Sequence, residues 1–301
     1  MTDNLRNITD FCSSRNIKFR LNESMSSHTS LGIGGAADIA IFPDAGTITP
    51  LFREIKKTNI SYTIIGGGTN ILVKDRDIEG VFIFTGGMKE IVEKDGGIYT
   101  QSGVSLQRLI SFCIDKGLAG IEAMAGIPGT IGGAVAGNAG SYGCEMKDVV
   151  VAVDILSNNG EVVSLSKDDA GFFYRGSKIP ELGIMLGALL SFKSDDTAEI
   201  KKRYDNFMTQ KKNTQPVSMR SAGCVFKNPA GVSAGKLIDD AGCKGLRSGG
   251  IEVSPMHANF FINTGNGTAD DFLRLMDIVA GRVRERFGIM LESEVRIIEK
   301  N

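Results

Sequence analysis

The stretch AGIPGTIGGAVAGNAGSYG, residues 125–143, carries seven glycines and no charged side chain. Glycine at that density loses much conformational entropy on folding, so a chain keeps it where backbone must approach backbone or a ligand. The pattern recurs as GIGG at 32–35, GGG at 66–68 and SGG at 248–250. In total 38 of 301 residues are glycine, against a usual share of about 7%. Periodic apolar segments separate the clusters, which makes them loops on a folded scaffold rather than a linker.

Those segments predict a mixed α and β chain. Leu5, Ile8, Phe11 and Cys12 recur at helical spacing and mark a short opening helix. Residues 38–85 read strand (DIAIFP), helix (45–58, with Leu51, Phe52 and Ile55 on one face), strand (YTIIGGG) and strand (GVFIFTG), a small α/β unit. A second unit starts near 96 with the strand GGIYTQSG, followed by a helix whose apolar face is Leu106, Leu109, Ile110, Cys113 and Ile114 and whose left-handed cap is Gly117. Asn158, Asn159 and Gly160 between two apolar runs predict a β-hairpin over 149–166, and another strand follows at 184–193. The polar helical segment 197–212 reads as a surface connector at a domain boundary. Beyond it lie SAGCVFKNP, a helix near 233–241, the strand ANFFINTG and a helix opened by Thr268 and Asp271. Its buried stripe is Phe272, Leu275, Met276, Val279 and Val283, Gly288 ends it, and MLESEVRIIE closes the chain as a strand. The expected divisions are 1–85, 86–200 and 201–301.

Charge and residue counts exclude several functions. Thirty-four basic against thirty-five acidic residues leave a net charge of −1, with no block that could grip a phosphate backbone, so nucleic acid is not an expected partner. Two histidines, His28 and His257, and five cysteines without a C-x-x-C pair supply no metal site and no disulfide framework. The N-terminus lacks an apolar signal region and no run of eighteen apolar residues occurs, which points to a soluble, cytoplasmic protein that does not engage a membrane.

GIGGAA at 32–37 fits G-x-G-x-x-A formally, but no strand precedes it, and no phosphate-binding G-x-x-x-x-G-K-[ST] exists. IIGGGTN leaves an apolar strand and lets backbone N–H groups converge on an anion. A turn without a ligand would also explain it. Together with residues 125–143, it suggests one extended ligand with a central pyrophosphate and a flat ring, and flavin adenine dinucleotide (FAD) fits that description. Cys224, in SAGCVFKN, is by composition either a core thiol or a chemical group.

IIGGGTNILVKD, GIPGTIGGAVAGNAGSYG, FYRGS, SAGCVFKNP and LESEVRII occur in an order that resembles the UDP-N-acetylenolpyruvoylglucosamine reductases (MurB family), nearly end to end. The resemblance implies an α+β fold: a two-part FAD-binding region of the vanillyl-alcohol-oxidase (PCMH) type and a C-terminal α/β substrate-binding domain. It implies noncovalent FAD held by Ile65, Gly66, Gly67, Gly68, Thr69, Asn70, Gly126, Ile127, Pro128, Gly129, Thr130, Gly132, Gly133, Ala134 and Asn138. NADPH would reduce the flavin, which would then pass hydride to the methylene carbon of an enolpyruvyl ether on a UDP-sugar, in peptidoglycan precursor synthesis. The protein would act as a monomer.

The resemblance also assigns roles. Arg175 would pair with the substrate carboxylate, where negative charge develops. Glu294 would share stabilisation of the intermediate, with Glu292, two residues earlier, as competitor. Cys224 stands where many members carry a proton-donating serine, and an ordinary thiol, with a pKa of about 8.5, is mostly protonated at neutral pH. Tyr174, Asn228, Lys212 and His257 would contact the sugar or diphosphate, although His257 also reads as a strand-edge histidine. A tyrosine-bearing loop inserted after the Tyr-Arg motif in one subgroup has no counterpart here, which marks the short form. Two other readings stand beside this one: another FAD-dependent oxidase or dehydrogenase of the same fold, and a nucleotide-binding module without turnover. No histidine lies between 29 and 256 to anchor a covalent flavin, and Arg175, Cys224 and Glu294 argue against a module without turnover.

Overall fold

The strands Ala36–Phe42 and Ile78–Phe84 are rich in apolar and aromatic residues and occupy the centre of a four-stranded sheet, between Lys18–Ser24 and Tyr62–Ile65. In this computed structural model, which describes residues 2–299, two helices cover that sheet. Asp3–Ser14 buries Leu5, Ile8 and Cys12, and Ile48–Lys57 buries Ile48, Leu51, Phe52 and Ile55; all join one core with Ile39, Ile41, Val81 and Ile83. Phe11 is only partly buried.

A second sheet is antiparallel throughout, in the order Val162–Ser166, Val150–Ser157, Gly183–Leu190, Gly97–Gln101, Ile91–Lys94. The expected hairpin forms its first two strands, and Gly160 turns the chain at φ 80°. The helix Leu106–Asp115 packs on it through the five residues its spacing predicts, with Ser105 accepting from the Arg108 N–H at one end and Gly117 at φ 66° beyond the other. Leu156 and Ile184 from this sheet belong to the same core as Ile39 and Val81, which ties the two sheets into one unit. Burial pushes the thiols of Cys12 and Cys113 up to about 12, which makes them inert packing groups.

By contacts the chain forms two units. The first takes residues up to Leu21, Ile39–Gly67 and Gly80–Thr209; the second takes Asn22–Asp38, Gly68–Glu79 and everything from Gln210. The second unit is centred on the helix Ala269–Phe287, opened by a capping box between Thr268 and Asp271 and ended by Gly288 at φ 69°. Its apolar stripe packs on a three-stranded antiparallel sheet, Arg247–Ser248, Ile251–Val253 and Phe261–Asn263. Leu31, Ile33 and Leu72 enter that core, and Ile71–Val73 pairs in parallel with Arg296–Ile298. Segments 22–38 and 68–79, which the sequence reading counts in 1–85, therefore group with the C-terminal residues. No helix among the described residues is long and apolar enough to cross a membrane.

Candidate active site

In the first unit, Ile65 ends a strand and Gly66 and Gly67 leave it. A Cβ on Gly66 would lie 2.5 Å from Thr130 Oγ1, and one on Gly67 2.8 Å from Gly129 Cα. Gly67 thus meets Gly129 backbone to backbone and Gly66 meets the Thr130 hydroxyl, with no room for a side chain at either glycine. Gly132 is as constrained: its N–H donates to Ser102 O at 2.8 Å, and a Cβ there would lie 2.9 Å from Ser102 Cβ. Gly126 and Gly129 hold φ of 75° and 114°, which glycine alone adopts readily. Gln107 Nε2 donates to Ile127 O, Thr130 caps the helix Ile131–Ala136, and Ala134 is buried. The hydroxyls of Ser102 and Thr100 are buried without a hydrogen-bond partner among the described residues. A close-approach cradle beside buried polar atoms in need of partners fits a dinucleotide such as FAD.

The side chain of Asn138 faces the protein. It is fully buried at φ 43°, and its Nδ2 donates to Glu145 Oε2 and to Phe173 O, each at 3.0 Å, while Oδ1 accepts from the Lys147 N–H. The bond to Phe173 braces a four-residue turn that Phe173 and Gly176 close by exchanging backbone hydrogen bonds. Tyr174 and Arg175 form its tip. Arg175 sits at φ 58°, where glycine or asparagine is the ordinary occupant, and its guanidinium lies 5.3 Å from the centre of the Tyr174 ring. Beyond the turn only the short helix Ile179–Leu182 precedes the next strand.

In the second unit, Cys224 and Glu294 come from adjoining segments. Glu294 N–H donates to Val225 O and Lys227 N–H to Glu292 O, each at 2.8 Å, with Phe226 opposite Ser293. On its other side the Cys224 segment is clamped by Asn259, whose backbone carbonyl accepts from Val225 N–H and whose amide both accepts from Phe226 N–H and donates to Phe226 O. Gly68, Thr69 and Asn70 continue the glycine loop here. Gly68 is at φ 64°, with His28 O 1.9 Å from where its Cβ would be, and Asn70 donates through Nδ2 to Glu294 O at 3.1 Å. Glu292 is largely exposed and paired with Lys227 at 2.5 Å, whereas Glu294 is half-buried.

The remaining candidates differ in what they can offer. Asn228 accepts the Ala234 N–H through Oδ1 at 2.9 Å, which leaves its amide nitrogen for a ligand. His257 packs edge-on against Phe260, and its Nδ1 accepts from the Asn259 N–H. Burial pushes its pKa down, and the Lys244 charge adds to this against an opposing backbone hydrogen bond, so the ring is neutral near pH 7. Lys212 is exposed on the helix Thr197–Thr214, while its neighbour Lys211 is buried. Spacing alone does not distinguish the two. Asn259 escaped sequence reasoning altogether, since nothing marks a buried amide as a strand clamp before the strands are paired.

The two-sheet scaffold, its paired glycine loops and its orphaned buried hydroxyls define an FAD-binding oxidoreductase. Residues 39–166 match a family described as FAD binding domain, and residues 215–298 match the C-terminal domain of UDP-N-acetylenolpyruvoylglucosamine reductase. The chain is 40% identical over 283 residues to the UDP-N-acetylenolpyruvoylglucosamine reductase of Caldanaerobacter subterraneus, across 93% of this chain and 94% of that protein. It is 38% identical over 288 residues to the one of Bacillus subtilis, across 94% and 95%. The crystal structure of the Thermus caldophilus enzyme superposes with a TM-score of 0.78 at 34% identity, across 93% of this chain and 98% of that one. The chain belongs to the UDP-N-acetylenolpyruvoylglucosamine reductase (MurB) family.

Proposed function

We propose that the chain reduces the enolpyruvyl ether of UDP-N-acetylglucosamine to the lactyl ether of UDP-N-acetylmuramate, with NADPH as the reductant, in peptidoglycan precursor synthesis. The carbon–carbon double bond gains a hydride at the methylene carbon and a proton at the carbon bearing the carboxylate, and NADPH becomes NADP⁺. When bound, FAD supplies the hydride carrier between the two substrates. The residues that would hold it are Ile65–Asn70 and the glycine-rich loop from Gly126 to Ala134, whose Gly132 N–H donates to Ser102 O.

Arg175 is assigned to the carboxylate, since a guanidinium fork both orients that group and offsets the charge that develops as hydride arrives. Glu294 is assigned to the same intermediate in preference to Glu292, which is exposed and committed to Lys227. Cys224 is assigned as the acid: its thiol delivers the proton to the carboxylate-bearing carbon, and the thiolate regains one from solvent. Tyr174 and the amide nitrogen of Asn228 are assigned to the sugar diphosphate, with Lys212 and His257 as weaker members of that set. The short form, a cytoplasmic location and a monomeric state belong to the same reading, and size-exclusion chromatography with light scattering checks the last.

The observation that carries the reading is the direct hydrogen bonding between the Cys224 and Glu294 segments, which gives acid and stabiliser one rigid support. The test is Cys224→Ala beside Cys224→Ser. A proton donor requires that alanine leave flavin reduction by NADPH intact while slowing substrate reduction by about 10² to 10⁴, with serine retaining more activity. A packing role reverses the order: alanine would turn over nearly normally, and serine would be the worse replacement.

A further inference from the structure

The segment HTSLGIGG, which runs into the GIGGAA stretch rejected above as a dinucleotide fingerprint, has a different use. Ser30 N–H donates to Gly68 O at 3.0 Å, and Ser30 Oγ donates to Ser221 O at 2.6 Å, with Gly68 O 3.4 Å away. One residue therefore ties the tail of the glycine loop to the start of the segment that carries Cys224. From there a circuit closes within the second unit. Val225 O accepts from Glu294 N–H, Glu294 O accepts from Asn70 Nδ2, and Asn70 is two residues from Gly68. Arg296 N–H donating to Asn70 O doubles that last link. Every step is a short chain segment or a hydrogen bond, so loop, proton donor and glutamate share one frame. The Ser30 hydroxyl joins the Cys224 segment to the rest of the frame from its N-terminal side, beside Asn263, whose N–H donates to Arg220 O and whose Nδ2 donates to Leu31 O.

We propose that Ser30 is a positioning residue for the reaction, which sets the Cys224 segment against the cofactor loop through its hydroxyl. The inference rests on the proton-donor reading of Cys224. Loss of the hydroxyl keeps the Ser30 N–H bond to Gly68 and so leaves the loop in place, while Ser221 O loses the hydrogen bond that fixes it against that loop. Displacement of a reacting group by a fraction of an ångström is enough to slow a step that depends on alignment.

The test uses the holoenzyme with Ser30→Ala, Ser30→Thr, Cys224→Ala and the Ser30→Ala/Cys224→Ala double variant. Ser30→Ala is expected to keep FAD affinity, followed by fluorescence titration of apoprotein, and flavin reduction by NADPH within about twofold of wild type, while flavin reoxidation by the enolpyruvyl substrate slows about tenfold. Ser30→Thr, which retains a hydroxyl, is expected to recover most of that loss. In the Cys224→Ala background Ser30→Ala is expected to change reoxidation less than about twofold, because a residue acting through another has no separate effect. A tenfold loss that persists in that background, normal reoxidation in Ser30→Ala, or an equal fall in FAD affinity and both half-reactions overturns the inference. Normal reoxidation in Cys224→Ala alone overturns instead the proton-donor reading on which it rests.

Discussion

At the scale of single residues, strain and close approach stand out at two of the proposed site positions. Arg175 holds a left-handed backbone at the tip of a turn braced by Asn138, and the proposed role of its guanidinium gives that strain a reason. Arg175→Lys keeps a charge but loses the planar fork. Substrate-driven reoxidation of the flavin is expected to fall on the order of 10²-fold, with reduction by NADPH little changed. Stopped-flow measurement of each half-reaction checks this, and equal loss in both would show that the arginine has another role. Gly68 is a second such position. An added methyl group meets His28 O at 1.9 Å and adds strain at φ 64°, so Gly68→Ala is expected to purify with well below one flavin per chain. Absorbance at the flavin band against protein concentration measures it, and full occupancy would show that the loop tolerates a side chain.

At the scale of elements, the helix Thr197–Thr214 is tied by charge to the segment that carries Glu122. Its Arg203 donates through Nε and Nη2 to Glu122 Oε1 at 3.0 and 2.7 Å and through Nη2 to Asp195 at 2.7 Å, while Gly120 N–H donates to the other Glu122 oxygen. Burial by itself would raise the Glu122 pKa. The backbone N–H groups of Glu122 and Gly120, together with Arg203, outweigh it and hold the carboxyl below its ordinary value. A carboxyl with a depressed folded-state pKa contributes stability that is fully present above its unfolded value, about 4.3, and lost as pH falls through the folded value. Glu122→Gln is therefore expected to cost about 2 kcal/mol near pH 7, with the gap to wild type closing below pH 4, read from urea melts across pH. A gap that stayed constant with pH would exclude the charge as its source. None of this network shows in the sequence, where 197–212 reads as a solvated connector because its polarity hides the partners. Helix ends were legible because caps are local: Gly117, Thr268 and Gly288 all act within a few residues of the turn they close. The strand Lys18–Ser24 was not, since KFRLNES is exposed at most positions and carries no alternation.

For the molecule as a whole, the glycine loops made the cofactor legible, and the discontinuous second unit was not, because pairing between residues 71–73 and 296–298 leaves no periodic trace. The noncovalent FAD reading makes the protein yellow as purified, with colour released into the supernatant by acid precipitation. Because a ligand that binds only the folded state stabilises it, FAD added to apoprotein at about 100 times Kd should raise stability by about 2.7 kcal/mol, seen as a concentration-dependent rise in Tm. A Tm indifferent to FAD would count against a folded-state site. The pairing of Ile71–Val73 with Arg296–Ile298 also governs the order of events during synthesis. As the chain leaves the ribosome, most of the first unit has its strands in hand once residue 190 has emerged, and it can fold while translation continues. Residues 71–73 must then wait, tethered to a folded neighbour, until residues 296–298 appear. During that interval the Ile71–Val73 strand lacks its partner, and its edge stays open to other strands.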